Sequence, residues 1–124
     1  MSSEIPTGRL EFFPDVPLNK QYIATLKLAE FLSWKGSSLQ KIMAIYQQSL
    51  EIAQQMQDPR NIAISYCCMA KLCKVNRDFE GSIQYFESVL KMFPLIPEKG
   101  PLEHNWQIET LTDLREMQQL KTSN

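Results

Sequence analysis

The side chains in this sequence best suited to covalent or metal chemistry are one histidine, His104, and three cysteines, Cys67, Cys68 and Cys73. A single histidine supplies at most one member of a Ser-His-Asp arrangement or of a His-based metal site. Cys67 and Cys68 are adjacent, and neighbours on a helix diverge by about 100°, so their thiols cannot close on one ion together. The three form no C-x-x-C, and packing as small hydrophobes is the favoured reading. The carboxylates, Glu30 and Glu51 among them, are spread singly along the chain, with no pair set apart for acid/base work. WKGSS, residues 34–38, lacks the glycines that cradle a phosphate. These residues predict a protein that is not an enzyme and holds neither metal nor cofactor.

The bulk properties narrow the class further. The chain has 124 residues, 44% hydrophobic and 22% charged, an ordinary globular balance and enough length for a real core. A formal net charge of −1, with lysines and arginines scattered singly, offers no basic footprint for nucleic acid and no polybasic membrane patch. No apolar run approaches the ~18 residues of a spanning helix. The N-terminal MSSEIPTGRLEFFPDVP lacks the pattern of a secretory signal. An odd number of irregularly spaced cysteines argues for a reducing compartment. The expected location is the cytoplasm, with the nucleus as the alternative.

The elements that would position any site are helices. Residues 1–18, with Pro6, Pro14 and Pro17, predict an irregular arm that Leu10, Phe12 and Phe13 either pin to the body or offer as a docking motif. A first helix is expected to open at Asn19 and stop at Gly36. A second runs from Ser37 or Ser38 to about Gln57, with Ile42, Ile45, Tyr46, Ser49, Ile52, Ala53 and Met56 on one face. Asp58-Pro59 opens a third over residues 60–75, apolar around much of its circumference. Asp78 caps a fourth, whose Phe79, Ile83, Phe86, Leu90 and Phe93 alternate in steps of four and three until Pro94 and Pro97 end it. Pro101 starts a fifth. No segment reads as a strand.

The helices repeat in pairs. Leu28, Ala29 and Leu32 recur as Met69, Ala70 and Cys73 at a constant offset of about forty residues. Ile42, Tyr46, Ser49, Leu50 and Ile52 recur as Ser82, Phe86, Val89, Leu90 and Met92 at an offset one residue shorter, the slip falling in the turn. This pattern resembles the tetratricopeptide repeat (TPR) family. The second unit carries Tyr66, Met69-Ala70, Cys73, Ser82, Phe86 and Pro94 at that family's spacing. The first carries Thr25, Leu28-Ala29, Leu32, Ile42 and Tyr46, of which Thr25 and Ile42 fit the pattern poorly. The resemblance covers residues 20–94. It implies an all-α fold of about five helices, antiparallel hairpins stacked as a short right-handed solenoid. The expected division is an arm at 1–18, two hairpins at 19–94, and a loop with a capping helix at 95–124.

In TPR proteins the first helix of each hairpin lines a concave groove that receives a peptide or a partner helix. By that resemblance the groove here would be lined by Ile23, Leu26, Glu30, Ser33 and Trp34, and by Ile64, Cys67, Lys71, Lys74 and Val75. Ile64, Cys67 and Cys68 stand where a carboxylate clamp wants polar donors, so a mixed apolar groove for a hydrophobic or amphipathic segment is expected instead. The resulting expectation is a non-catalytic adaptor or scaffold that binds another protein. The alternative is a subunit of a larger complex or homo-oligomer, with Trp106, Ile108, Leu111, Leu114 and Met117 of the last helix as its interface.

Overall fold

Local capping chemistry sets most of the helix limits in the structure, a computed structural model that describes residues 9–123. Five α-helices follow one another: α1 Leu18–Lys35, α2 Leu39–Met56, α3 Pro59–Val75, α4 Phe79–Met92 and α5 Pro101–Ser123. Among the described residues there is no strand, so the fold is all-α. The part of the expected arm that lies at residues 1–8 falls outside the described residues.

Gly36 ends α1 at φ 86°, and its N–H donates to the carbonyls of Leu32 and Ser33. A glycine takes this left-handed conformation without a Cβ clash. Ser38 caps α2 by accepting from the Lys41 N–H at 3.2 Å. Asp58 accepts from the N–H groups of Arg60 and Asn61 at 3.1 and 3.2 Å, with Pro59 at the first helical position. Asp78 accepts from the Gly81 N–H at 3.0 Å and opens α4. Each of these matches the sequence expectation. Asn19 does not: Pro17 precedes α1, and its carbonyl already accepts from Lys20 and Gln21 at 3.1 and 3.0 Å. Pro17 itself holds the cap position with an extended ψ of 149°, so the helix starts two residues earlier than an Asn19 cap would set it, without a side-chain cap.

The chain divides into two units, the first ending at Gln57 and the second beginning at Asp58. In the first, α1 and α2 pack as a hairpin. α1 buries Tyr22, Thr25 and Ala29, and α2 buries Ile42, Ile45, Gln48, Ser49, Ile52 and Ala53. Thr25 sits in its apolar stripe at little cost because its hydroxyl donates to the Tyr22 carbonyl at 2.7 Å. Ser49 does the same to the Tyr46 carbonyl at 2.6 Å.

The second unit packs α3 against α4 and α4 against α5. One core cluster joins Ala63, Cys67, Val89, Phe93 and Ile96, with Trp106 packed against it. Another joins Ala70, Phe79, Phe86, Leu114 and Met117, flanked by Ile83 and Leu120. A short 3-10 turn, Phe93–Leu95, follows α4 where Pro94 ends it, and it delivers Ile96 into the first cluster at 1% exposure. The loop expected at that point therefore contributes a core side chain.

Candidate interaction surface

α1 carries apolar residues on two sides. Tyr22, Thr25 and Ala29 point inward, whereas Trp34 is 83% exposed, Phe31 52% and Ile23 49%. Tryptophan and phenylalanine each hide a large apolar area when buried, so leaving both in water forgoes a sizeable stabilisation. Phe31 and Trp34 are three residues apart, and their rings lie 6.1 Å apart in a tilted pair. The five expected groove residues of α1 (Ile23, Leu26, Glu30, Ser33 and Trp34) fall within about 100° of arc on that helix. Of these, Leu26 is half-buried and the rest are exposed. Phe31 belongs to the same surface and was not among the expected lining residues.

The five expected residues of α3 are not equally available. Val75 and Lys71 are exposed and Ile64 is half-buried. Cys67 is a correction: it is 8% exposed and stands in the core cluster with Val89, Phe93 and Ile96, so its side chain lines no surface. The 3-10 turn and Ile96, which its side packs against, were the elements the periodicity of α3 did not foresee. Lys74 is half-buried, and its ammonium is engaged within its own unit. It donates to Asp113 at 3.1 Å and approaches Glu116 at 3.3 Å, both on α5. The hydrogen bond to Asp113, reinforced by Glu116, raises the Lys74 pKa above the usual lysine value and holds it charged.

The α5 residues expected to form an interface also divide. Leu114 and Met117 are buried against α4 and are not available to a partner. Trp106 is half-buried, its ring edge-on to Phe93 at a centroid distance of 4.9 Å. Only Ile108, at 50%, and Leu111 stay exposed. Ion pairs hold the helix along its length: Arg60 with Glu103, Lys74 with Asp113 and Glu116, and Lys121 with Glu80. The pairs are partly exposed, worth a few tenths to one kcal/mol each in typical cases. Lys74→Glu would replace two attractions with two repulsions, and is expected to cost about 1–2 kcal/mol in urea denaturation while Lys74→Met costs less. A full-strength charge effect on partner binding with unchanged stability would restore Lys74 to a surface role.

The three thiols are withdrawn from solvent to different degrees. Cys67 and Cys73 are buried and Cys68 is half-buried. Burial first, then the charge and hydrogen bond of Asp78, push the Cys73 thiol up to about 11, which keeps it protonated near neutral pH and a poor nucleophile. Among the described residues no three His, Cys, Asp or Glu side chains gather as a metal site. No helix among them is long and apolar enough to cross a membrane.

A polar site on α2 went unnoticed in the sequence. Gln48, 5% exposed, donates from Nε2 to the Leu10 carbonyl at 2.7 Å and accepts the Leu10 N–H on Oε1 at 2.8 Å. One turn away, the two carboxylate oxygens of Glu51 accept from the two terminal guanidinium nitrogens of Arg9, at 2.6 and 3.3 Å. The signal was available: Gln48 interrupts the buried stripe Ile45, Ser49, Ile52, and a glutamine so placed demands partners. No family model, curated protein or solved structure matches this chain.

Proposed function

We propose that this chain is a non-catalytic protein-interaction module that receives an apolar or amphipathic segment of another protein on the exposed side of α1. The observation that carries the reading is Trp34 at 83% exposure beside Phe31 and Ile23, on a helix whose other side already supplies the core of its hairpin. Aromatic side chains of this kind are the usual energetic centres of protein interfaces, where they lose water on contact. Glu30 and Lys27 stand among them and suit a segment with both charges flanking an apolar strip. The repeated helix pairs, the offset of about forty residues and the TPR resemblance support the same reading. In that reading the hairpins belong to a short solenoid, and the protein works as an adaptor in the cytoplasm or nucleus.

The test is quantitative affinity purification of the unaltered chain against Phe31→Ala/Trp34→Ala, with circular dichroism to verify that helix content is retained. Partners that bind the α1 surface are expected to drop about tenfold or more with the double change, the range of a hot-spot truncation. Lys71→Glu on α3 serves as the comparison and is expected to change them less. Retention of the same partners by the double variant would remove the α1 surface from the proposal. An α5-centred interface would then be read from Ile108→Glu/Leu111→Glu, the two residues of the expected α5 interface that stay exposed. Light scattering across concentration distinguishes a second copy of the chain from a foreign partner.

A further inference from the structure

Residues 9–13 alternate along the chain: Arg9 exposed, Leu10 half-buried, Glu11 exposed, Phe12 half-buried, Phe13 exposed. This period of two is that of an extended segment laid on a surface. The surface is α2. Gln48 meets the Leu10 main chain with donor and acceptor at once, as a neighbouring strand would. Only one orientation of the Gln48 amide satisfies both bonds, since the flipped amide would set like against like. Glu51 takes Arg9 in a two-pronged ion pair, and that contact lowers the Glu51 pKa and raises that of Arg9. Behind the segment, Phe13–Val16 forms a turn closed by the Val16 N–H to Phe13 carbonyl bond at 3.1 Å, and it is tied separately to α1 through the Gln21 Nε2 bond to the Val16 carbonyl at 2.8 Å. The segment and its hinge are thus held by different contacts.

Main-chain recognition of this sort is indifferent to which chain supplies the strand. With the arm lifted the Gln48 amide would bond to water, so its paired donor and acceptor orient an extended segment more than they add net affinity. Specificity resides in the side chains: Glu51 selects a basic residue, and the half-buried positions select leucine and an aromatic two residues apart. This is the division of labour of strand-addition peptide sites. The holding contacts are few, two main-chain bonds and one exposed ion pair, so the tether and its high effective concentration account for much of the occupancy.

We propose that this side of α2 is a peptide-recognition site for an extended partner segment of pattern basic–Leu–any–aromatic, closed in the isolated chain by its own arm as a tethered pseudo-ligand. A partner is favoured over a second copy on energetic grounds. A second copy would bring the identical segment with no added contact while losing the freedom of a separate molecule. A partner segment can add contacts at the positions where Glu11 and Phe13 face water. This site and ligand differ from those on α1, and either proposal stands without the other.

The experiment uses the full chain with its arm unlatched. Leu10→Pro removes the N–H that Gln48 accepts, and Arg9→Glu sets a second carboxylate against Glu51. The probe is a fluorescein-labelled, end-capped peptide of residues 9–13, Arg-Leu-Glu-Phe-Phe, followed by anisotropy. Both variants are expected to bind it saturably, at least about tenfold tighter than the unaltered chain, whose site is filled. Adding Gln48→Ala to either variant is expected to reverse that gain, as is an Arg-to-Glu change in the peptide. Two variants are used because one of them failing to fold leaves the other to decide. Equal, non-saturating signals from the unaltered chain and the unlatched variants up to about 1 mM peptide would overturn the site. Concentration-dependent dimers of the unaltered chain that vanish with Gln48→Ala would overturn the partner assignment in favour of arm exchange between copies.

Discussion

Phe86→Ala is expected to remove about 3–5 kcal/mol from the second unit, the usual cost of truncating a fully buried aromatic residue. Phe86 is 0% exposed and lies in one cluster with Ala70 of α3, Phe79 of α4 and Leu114 and Met117 of α5. Its ring is therefore shared among three helices, and the cavity left behind cannot be filled by collapse of one element alone. Total stabilities of domains this size run to about 5–15 kcal/mol, so the loss would be a large part of the whole. The two tryptophans make the effect separable. Trp34 lies in the first unit and Trp106 in the second, the latter edge-on to Phe93. In a Trp34→Phe background, urea denaturation followed by fluorescence reports the second unit. The expected result is a large fall in midpoint, with Phe86→Leu costing less because most of the volume is kept. A loss below about 1 kcal/mol would place Phe86 at the surface and contradict the packing of α5 on α4.

How much of this could be read from the amino-acid sequence depended on the range of the interactions involved. Gly36, Ser38, Asp58 with Pro59, and Asp78 announced helix ends because a cap acts over three or four residues. The all-α class followed from periodicities that are equally local. Facing was harder. The stripe around Cys67 showed that α3 is apolar on several sides, but which side stays open depends on the 3-10 turn at Phe93–Leu95 and on Ile96, a residue in a segment that carries only proline signals. Steps of three along α5 blurred its two sides, and Thr110, a polar residue 1% exposed, marks the inward side that hydropathy alone passes over. Its hydroxyl donates to the Trp106 carbonyl at 2.8 Å, which is why it can be there. Lys74 reads as a free surface charge until α5 brings Asp113 beside it, a contact between residues far apart in the chain. Trp34 is the reverse case: it reads equally as core or as anchor, and its 83% exposure removes the core reading.

A direct bond between α3 and α4 marks the site of the second large effect. Ser82 on α4 is fully buried, and its hydroxyl donates to the Ala70 carbonyl on α3 at 2.9 Å. A bond from a side chain this short to the other helix's main chain requires a small residue at both positions. Ala70→Leu adds a branched side chain at a site with 0% exposure. Overpacking of that kind costs about 1–3 kcal/mol, and pushing α4 away also leaves the buried Ser82 hydroxyl without its acceptor, for about 1–3 kcal/mol more. Ser82→Ala isolates the second part: it removes the donor without adding volume, while the Ala70 carbonyl keeps its helical partner, so a cost near 1 kcal/mol is expected. The order Ala70→Leu far worse than Ser82→Ala, measured by thermal or urea unfolding, follows from close helix contact at this point. If both substitutions cost the same small amount, the helices would have slack between them there. The matching alanine of the repeat, Ala29 on α1, is also 0% exposed. If the duplicated pattern reflects one packing rule, Ala29→Leu should destabilise the first unit by about 1–3 kcal/mol as well.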